Sequence, residues 1–155
     1  MRVLEPWVAG PLAEFLRESS ARLTLVMTSA GQVIAQHGFT RSVDVMSAAA
    51  LGAGILATTD ELARTIDEPA GFGAVVHQGD RQGVWLAAFD TPRGRWIGLV
   101  VFGQESSVGL VRLFFARLAA QIQAAAPPFT PARDVLAEGF ERELDSSLRA
   151  LFGSR

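Results

Sequence analysis

The period of the apolar positions changes several times along the chain, and each change marks an element. Gly10-Pro11 is followed by Leu12, Phe15, Leu16 and Ser19 at helical spacing, which predicts a short first helix with Pro11 at its first position. Arg22 to Thr28 alternates and is rich in apolar and β-branched residues. Ser29-Ala30-Gly31 then supplies a turn and Gln32 to His37 returns, so the pair reads as a hairpin. Ser42 is the expected cap of a long helix running to about Glu68, stopped by Pro69 and Gly71, with Leu51, Ile55, Leu62 and Ile66 as its apolar face. From Phe72 the period returns to two: FGAVVHQ, GVWLAAF and RWIGLVVF are separated by Gly79-Asp80-Arg81 and Thr91-Pro92-Arg93-Gly94. Turns this short predict three antiparallel strands. Ser106 or Ser107 opens another helix, in which Val108, Val111, Phe115, Leu118 and Ile122 recur at three- and four-residue steps before Pro127-Pro128. Thr130-Pro131 starts a separate amphipathic helix with Leu136, Phe140, Leu144, Leu148 and Leu151 along one stripe. Prolines between Ala125 and Arg133 hold this tail apart from the preceding helix.

The expected fold is α+β, a five-stranded antiparallel sheet with helices on one face, in the order helix-strand-strand-helix-strand-strand-strand-helix plus a C-terminal amphipathic helix. Residues 1–126 form the domain, and residues 127–155 the linker and tail helix. Ser47 to Gly54 in the long helix is nearly all small residues, and each internal glycine costs about 1 kcal/mol of helix stability relative to alanine. Close approach of another backbone would offset that cost. The candidates are a twin helix, a partner protein, or a strand of the same chain. The other sheet face or a sheet edge needs cover from a second copy or a partner.

With 155 residues and 49% hydrophobic content the chain is the size of one domain. On general scaling it buries about two-thirds of its unfolded surface. The net charge is -2 and the basic residues are scattered, so there is no stripe for a phosphate backbone and nucleic acid is not an expected partner. The absence of cysteine agrees with a reducing compartment, and cytoplasm is the expected location. All 14 basic residues are arginine, which leaves no lysine for a phosphate loop or a Schiff base. The N-terminal residues lack the apolar core of a signal peptide. No apolar run is expected to reach the roughly 18 to 20 residues of a membrane span.

The candidates for chemistry do not assemble into a site. His37 and His77 fall at strand ends without an acidic cluster at metal-ligand spacing, so neither a metal nor another cofactor is expected. Gly52-Ala53-Gly54 lies inside a helix, where its amides are not free to cradle a phosphate. Ser19, Ser29, Ser42 and Ser47 have no partner histidine and acid. Arg64, Arg81, Arg93 and Arg95 sit at a helix end or in turns, with reach toward another protein but ordinary surface charge as the simpler reading.

Several strings, in order, resemble the roadblock family. They are Ser29-Ala30-Gly31-Gln32-Val33-Ile34, Ala53-Gly54, Leu62-Ala63-Arg64, His77-Gln78-Gly79, Ser107-Val108-Gly109-Leu110-Val111-Arg112-Leu113, and a tail ending in Leu151-Phe152. The likeness is strongest to its MglB-like members, which stimulate GTP hydrolysis by the Ras-like GTPase MglA. The resemblance implies a homodimer in which long helices pair and sheets join edge to edge. It also implies an MglA-like partner bound in its GTP form and activated without an arginine finger, by repositioning of the GTPase's own groups. By position it places the partner surface at Ala50, Gly54, Ala57 and Glu61, with secondary contacts at Phe140, Leu144 and Leu148. Glu61 departs from the family pattern, which has a small residue there. A carboxylate in that place either pairs with a basic residue of a particular GTPase or blocks docking. A non-activating scaffold is the alternative, a small-molecule sensor is a more distant one, and the setting, whether cell polarity, motility or another, is left open.

Overall fold

A computed structural model describes residues 2–3, 5–39, 41, 43–127 and 132–152. After a two-residue strand β1 (Arg2–Val3), a 3₁₀ turn (Pro6–Val8) leads into α1 (Ala9–Ser19). The hairpin β2 (Leu23–Thr28) and β3 (Val33–Gly38) follows, then the long helix α2 (Val45–Thr65). Strands β4 (Val75–Gln78), β5 (Gly83–Thr91) and β6 (Gly94–Phe102) precede α3 (Val108–Ala125) and the tail helix α4 (Ala132–Phe152). The sheet is antiparallel, in the order β1-β3-β2-β6-β5-β4. The five expected strands all form, and β1 adds a short sixth at one edge.

Alternation along the central strands sends side chains to two separate cores, which corrects the expectation of helices on one face. Val26, Trp85, Phe89, Val100 and Phe102 pack with Leu12, Phe15, Val111, Phe115, Leu118 and Ile122 of α1 and α3. Leu25, Met27, Leu86, Ile97 and Leu99, each one residue out of step, pack with Ala49, Ala53 and Leu56 of α2. Both sheet faces of the central strands are apolar, so both need a helical layer. At the centre of the first core the Phe115 ring lies over Gly98, where an added Cβ would collide with its Cε2.

Local corrections have local causes. α1 begins two residues earlier than expected because the 3₁₀ turn feeds it, and Pro11 stays in its first turn, where a missing N–H costs nothing. The cap of α2 is Asp44, whose Oδ1 accepts from the Ser47 amide at 3.1 Å; Ser42, the expected cap, lies outside the described residues. α2 ends at Thr65, ahead of Asp67 at a φ of 59°, so Pro69 falls beyond the helix. Ser107 caps α3, its Oγ accepting from the Leu110 amide at 3.2 Å. α3 is long and apolar enough to cross a membrane by length and composition, contrary to the sequence expectation, yet its apolar positions Val111, Phe115, Leu118 and Ile122 are buried against the sheet.

Candidate functional site

The surface of interest is the outward side of α2, and its character follows from which side of that helix faces the sheet. The apolar face expected from periodicity is Leu51, Ile55, Leu62 and Ile66. The side buried against the sheet is instead Ala49, Gly52, Ala53, Leu56 and Ala63. Leu51, Leu62 and Ile66 are 68%, 53% and 57% exposed, and Ile55 is half-buried. The reason is distance. A Cβ on Gly52 would sit 3.1 Å from both Leu86 Cδ2 and Leu99 Cδ1, so only small residues let the helix axis approach the leucine-rich strands this closely.

Gly52 therefore has its compensation within the chain: a sheet of the same molecule crosses there. Gly54 does not. It is exposed, and a Cβ added to it would meet nothing within 4 Å. Ala50, Ala57 and Glu61, the other residues predicted for the partner surface, are exposed as well. At 100° per residue, Ala50, Ala57 and Glu61 form one flank of the outward side and Leu51 and Leu62 the other, with Gly54 between them. The result is a shallow, smooth track beside an apolar ridge. Thr58 Oγ1 donates to the carbonyls of Gly54 at 3.0 Å and Ile55 at 2.9 Å, which folds its hydroxyl back onto the helix.

Charge is confined to the C-terminal end of this track. Arg64 Nε donates to Glu61 Oε2 at 3.2 Å, and this hydrogen bond, with the charge of Glu61 behind it, raises the Arg64 pKa further above its ordinary value. Arg95 Nη1 reaches Asp60 Oδ2 at 3.3 Å and ties β6 to α2. Two of the four reach-capable arginines are thus engaged by neighbouring carboxylates. Arg93 is half-buried in the β5–β6 turn, and Arg81 is exposed between β4 and β5. His37 is half-buried in β3 and His77 exposed in β4, and among the described residues no cluster of three histidine, aspartate or glutamate side chains is placed to hold a metal.

In α4, Leu144 and Leu148 are exposed, as are Leu151 and Phe152 beyond them; the Phe140 side chain lies outside the described residues. The long-helix and tail residues lie on separate elements, α2 and α4. Sequence reasoning misses the Leu51–Leu62–Ile66 ridge as surface because it is indistinguishable by period from a core stripe.

Residues 11–91, a little over half the chain, match the model of the Roadblock/LC7 domain, and the chain belongs to that family. Among solved structures it is similar to Myxococcus xanthus MglB, at 25% identity and a TM-score of 0.68 over 76% of this chain and 92% of that one. It is similar also to the gliding protein MglB of Thermus thermophilus, at 27% identity and a TM-score of 0.69 over 81% of this chain and 93% of that one. A structure described as MglB with tetrameric arrangement matches at 26% identity and a TM-score of 0.68, over 81% and 95% of the two chains. No curated protein sequence matches significantly. The family and these neighbours mark a GTPase-associated regulator of the roadblock type, in a group whose members self-associate.

Proposed function

We propose that this chain is a homodimeric regulator that binds the GTP form of an MglA-like Ras-family GTPase in the cytoplasm. It stimulates hydrolysis by repositioning the GTPase's own catalytic groups, with no catalytic residue or arginine finger of its own. Residues 1–126 make the binding domain. The outward track at Ala50, Gly54, Ala57 and Glu61 is the docking face, and Phe140, Leu144 and Leu148 of the tail add secondary contacts. The observation that carries this reading is Gly54: it costs the helix about 1 kcal/mol and nothing in the chain recovers it. A partner backbone laid along the track would recover it. The Leu51–Leu62–Ile66 ridge beside the track supplies the apolar surface for pairing with a second α2, and the four-residue edge strand β4 is open for sheet-to-sheet joining.

A second reading, a scaffold that binds a GTPase without accelerating hydrolysis, draws support from Glu61, whose carboxylate and paired Arg64 stand on the docking face where the family has a small residue. Single-turnover phosphate release separates the two. An MglA-like GTPase preloaded with GTP is mixed with excess protein, wild type or Gly54→Arg. Acceleration that is lost in the variant supports the activator. Binding to the GTP form without acceleration supports the scaffold, and Glu61→Ala then tests whether the carboxylate is the reason. Absence of binding sinks both.

A further inference from the structure

The fold leaves a second apolar surface bare, on the opposite side of the sheet from α2. On the α1/α3 side a groove of about 610 Å³ runs between α3 and the strands beyond it. Arg112, Ala116 and Ala119 form its wall and Trp85, Ala87 and Phe89 its floor. The alanines leave room for a helix to lie close, as small residues do under α2. At the mouth, the Arg112 guanidinium sits 5.5 Å from the centre of the Trp85 ring, and the ion pairs of the described residues do not include it. α3 contains Arg112 and Arg117 and no acidic residue, so the rim is positive.

The tail helix α4 has the complementary chemistry. Its Leu144, Leu148 and Leu151 are exposed, as is every side chain described from Arg142 to Phe152. Glu143 and Asp145 lie among the same turns as this stripe. A helix of 21 residues with so little apolar contact is marginal alone in water and draws its stability from a surface it packs on. The connection favours reach over a tight reversal. Ala126 is extended, at φ -57° and ψ 123°, and the sequence Pro127-Pro128 that follows favours a semi-rigid spacer rather than a reversing turn.

We propose that α4 of one copy seats its Leu144–Leu148–Leu151 stripe in the α3–β5 groove of a second copy, with its acidic residues against Arg112. Both apolar faces are then covered, and each copy gives a tail and receives one. This exchange does not depend on GTPase binding. It does set a condition on it: a GTPase that engages Leu144 and Leu148 first withdraws them from the groove.

The test uses the full chain with a benzophenone side chain at Ala120, an exposed position of α3 one turn from Ala116 and outside the groove lining. An equimolar mixture of ¹⁴N- and ¹⁵N-labelled protein is irradiated and the crosslinked peptides are mapped by mass. The expected result is crosslinks from position 120 to α4 peptides, including mixed-isotope pairs. The double variant Leu144→Glu/Leu148→Glu is expected to lower their yield about tenfold or more. Its thermal unfolding stays unchanged because both leucines are exposed. Same-isotope crosslinks alone would place the tail in its own groove and overturn the exchange. Crosslinks to other segments, or none, would overturn it as well. GTPase binding measured on the same samples fails or holds independently of this result.

Discussion

Gly52 and Gly54 are two residues apart on one helix and do opposite things. Gly52 faces Leu86 and Leu99, and its missing side chain sets how closely α2 approaches the sheet. Gly54 faces outward with nothing near it, and its missing side chain serves no contact of the chain itself. The same residue type thus marks core packing in one place and an unfilled surface in the other. Only the second points to a partner. The difference extends to the whole helix: its small face is the core, and its large apolar residues are on the outside.

The comparison breaks most sharply at the leucines. Leu56, buried on the sheet side, is expected to cost about 2–4 kcal/mol on replacement by alanine. Leu62→Ala on the outside should change stability by no more than about 0.5 kcal/mol. Urea unfolding of the two variants measures both, and similar losses would show that α2 is turned the other way on the sheet. Sedimentation of the Leu62 variant adds the second half, since the ridge is assigned to self-association.

The glycines give the next largest contrast. Gly52→Leu drives a branched side chain into Leu86 and Leu99 and should destabilise by about 1–3 kcal/mol. Gly54→Ala should stabilise the isolated chain by about 0.5–1 kcal/mol, because it improves helix propensity without a clash. The same change should weaken GTPase binding. A Gly54→Ala protein that gains stability and binds as before would remove the reason for placing the partner there.

The smallest effect is at the start of the helix. Hydrogen bonds from the Ser47 hydroxyl and amide hold the Asp44 carboxyl below its ordinary range. A depressed folded pKa means that the cap's contribution is complete above the ordinary aspartate value of about 3.9 and is lost as pH falls through the folded value. Asp44→Ala should therefore lower Tm by a few degrees at neutral pH, with the gap to wild type closing as the pH falls below about 4. A gap that persists unchanged at low pH would mean that the ionised carboxylate is not what stabilises the helix start.

Much of the fold is legible in the sequence because local signals are unopposed. Period alone assigns Val111, Phe115, Leu118 and Ile122 to the inner face of α3, and they are buried there. In α2 the signals compete: Leu51-Ile55-Leu62-Ile66 and Ala49-Gly52-Ala53-Leu56-Ala63 both recur at helical spacing, and hydrophobicity favours the wrong one. Ala50, Gly54, Ala57 and Glu61, taken from family likeness, do stand exposed on one side of the helix. That agreement concerns accessibility, and their role is the proposal made above.

The sequence by itself determined the number, type and order of the main elements, because period, caps and turn residues act over a few positions. It also determined the family, through short strings kept in order. The tertiary structure alone decided that α1 and α3 cover one sheet face while α2 covers the other, since element order is the same for either arrangement. It decided as well which side of α2 is core. That choice depends on how near the Leu86 and Leu99 side chains come to the helix axis, a distance between residues far apart in the chain that no local pattern encodes.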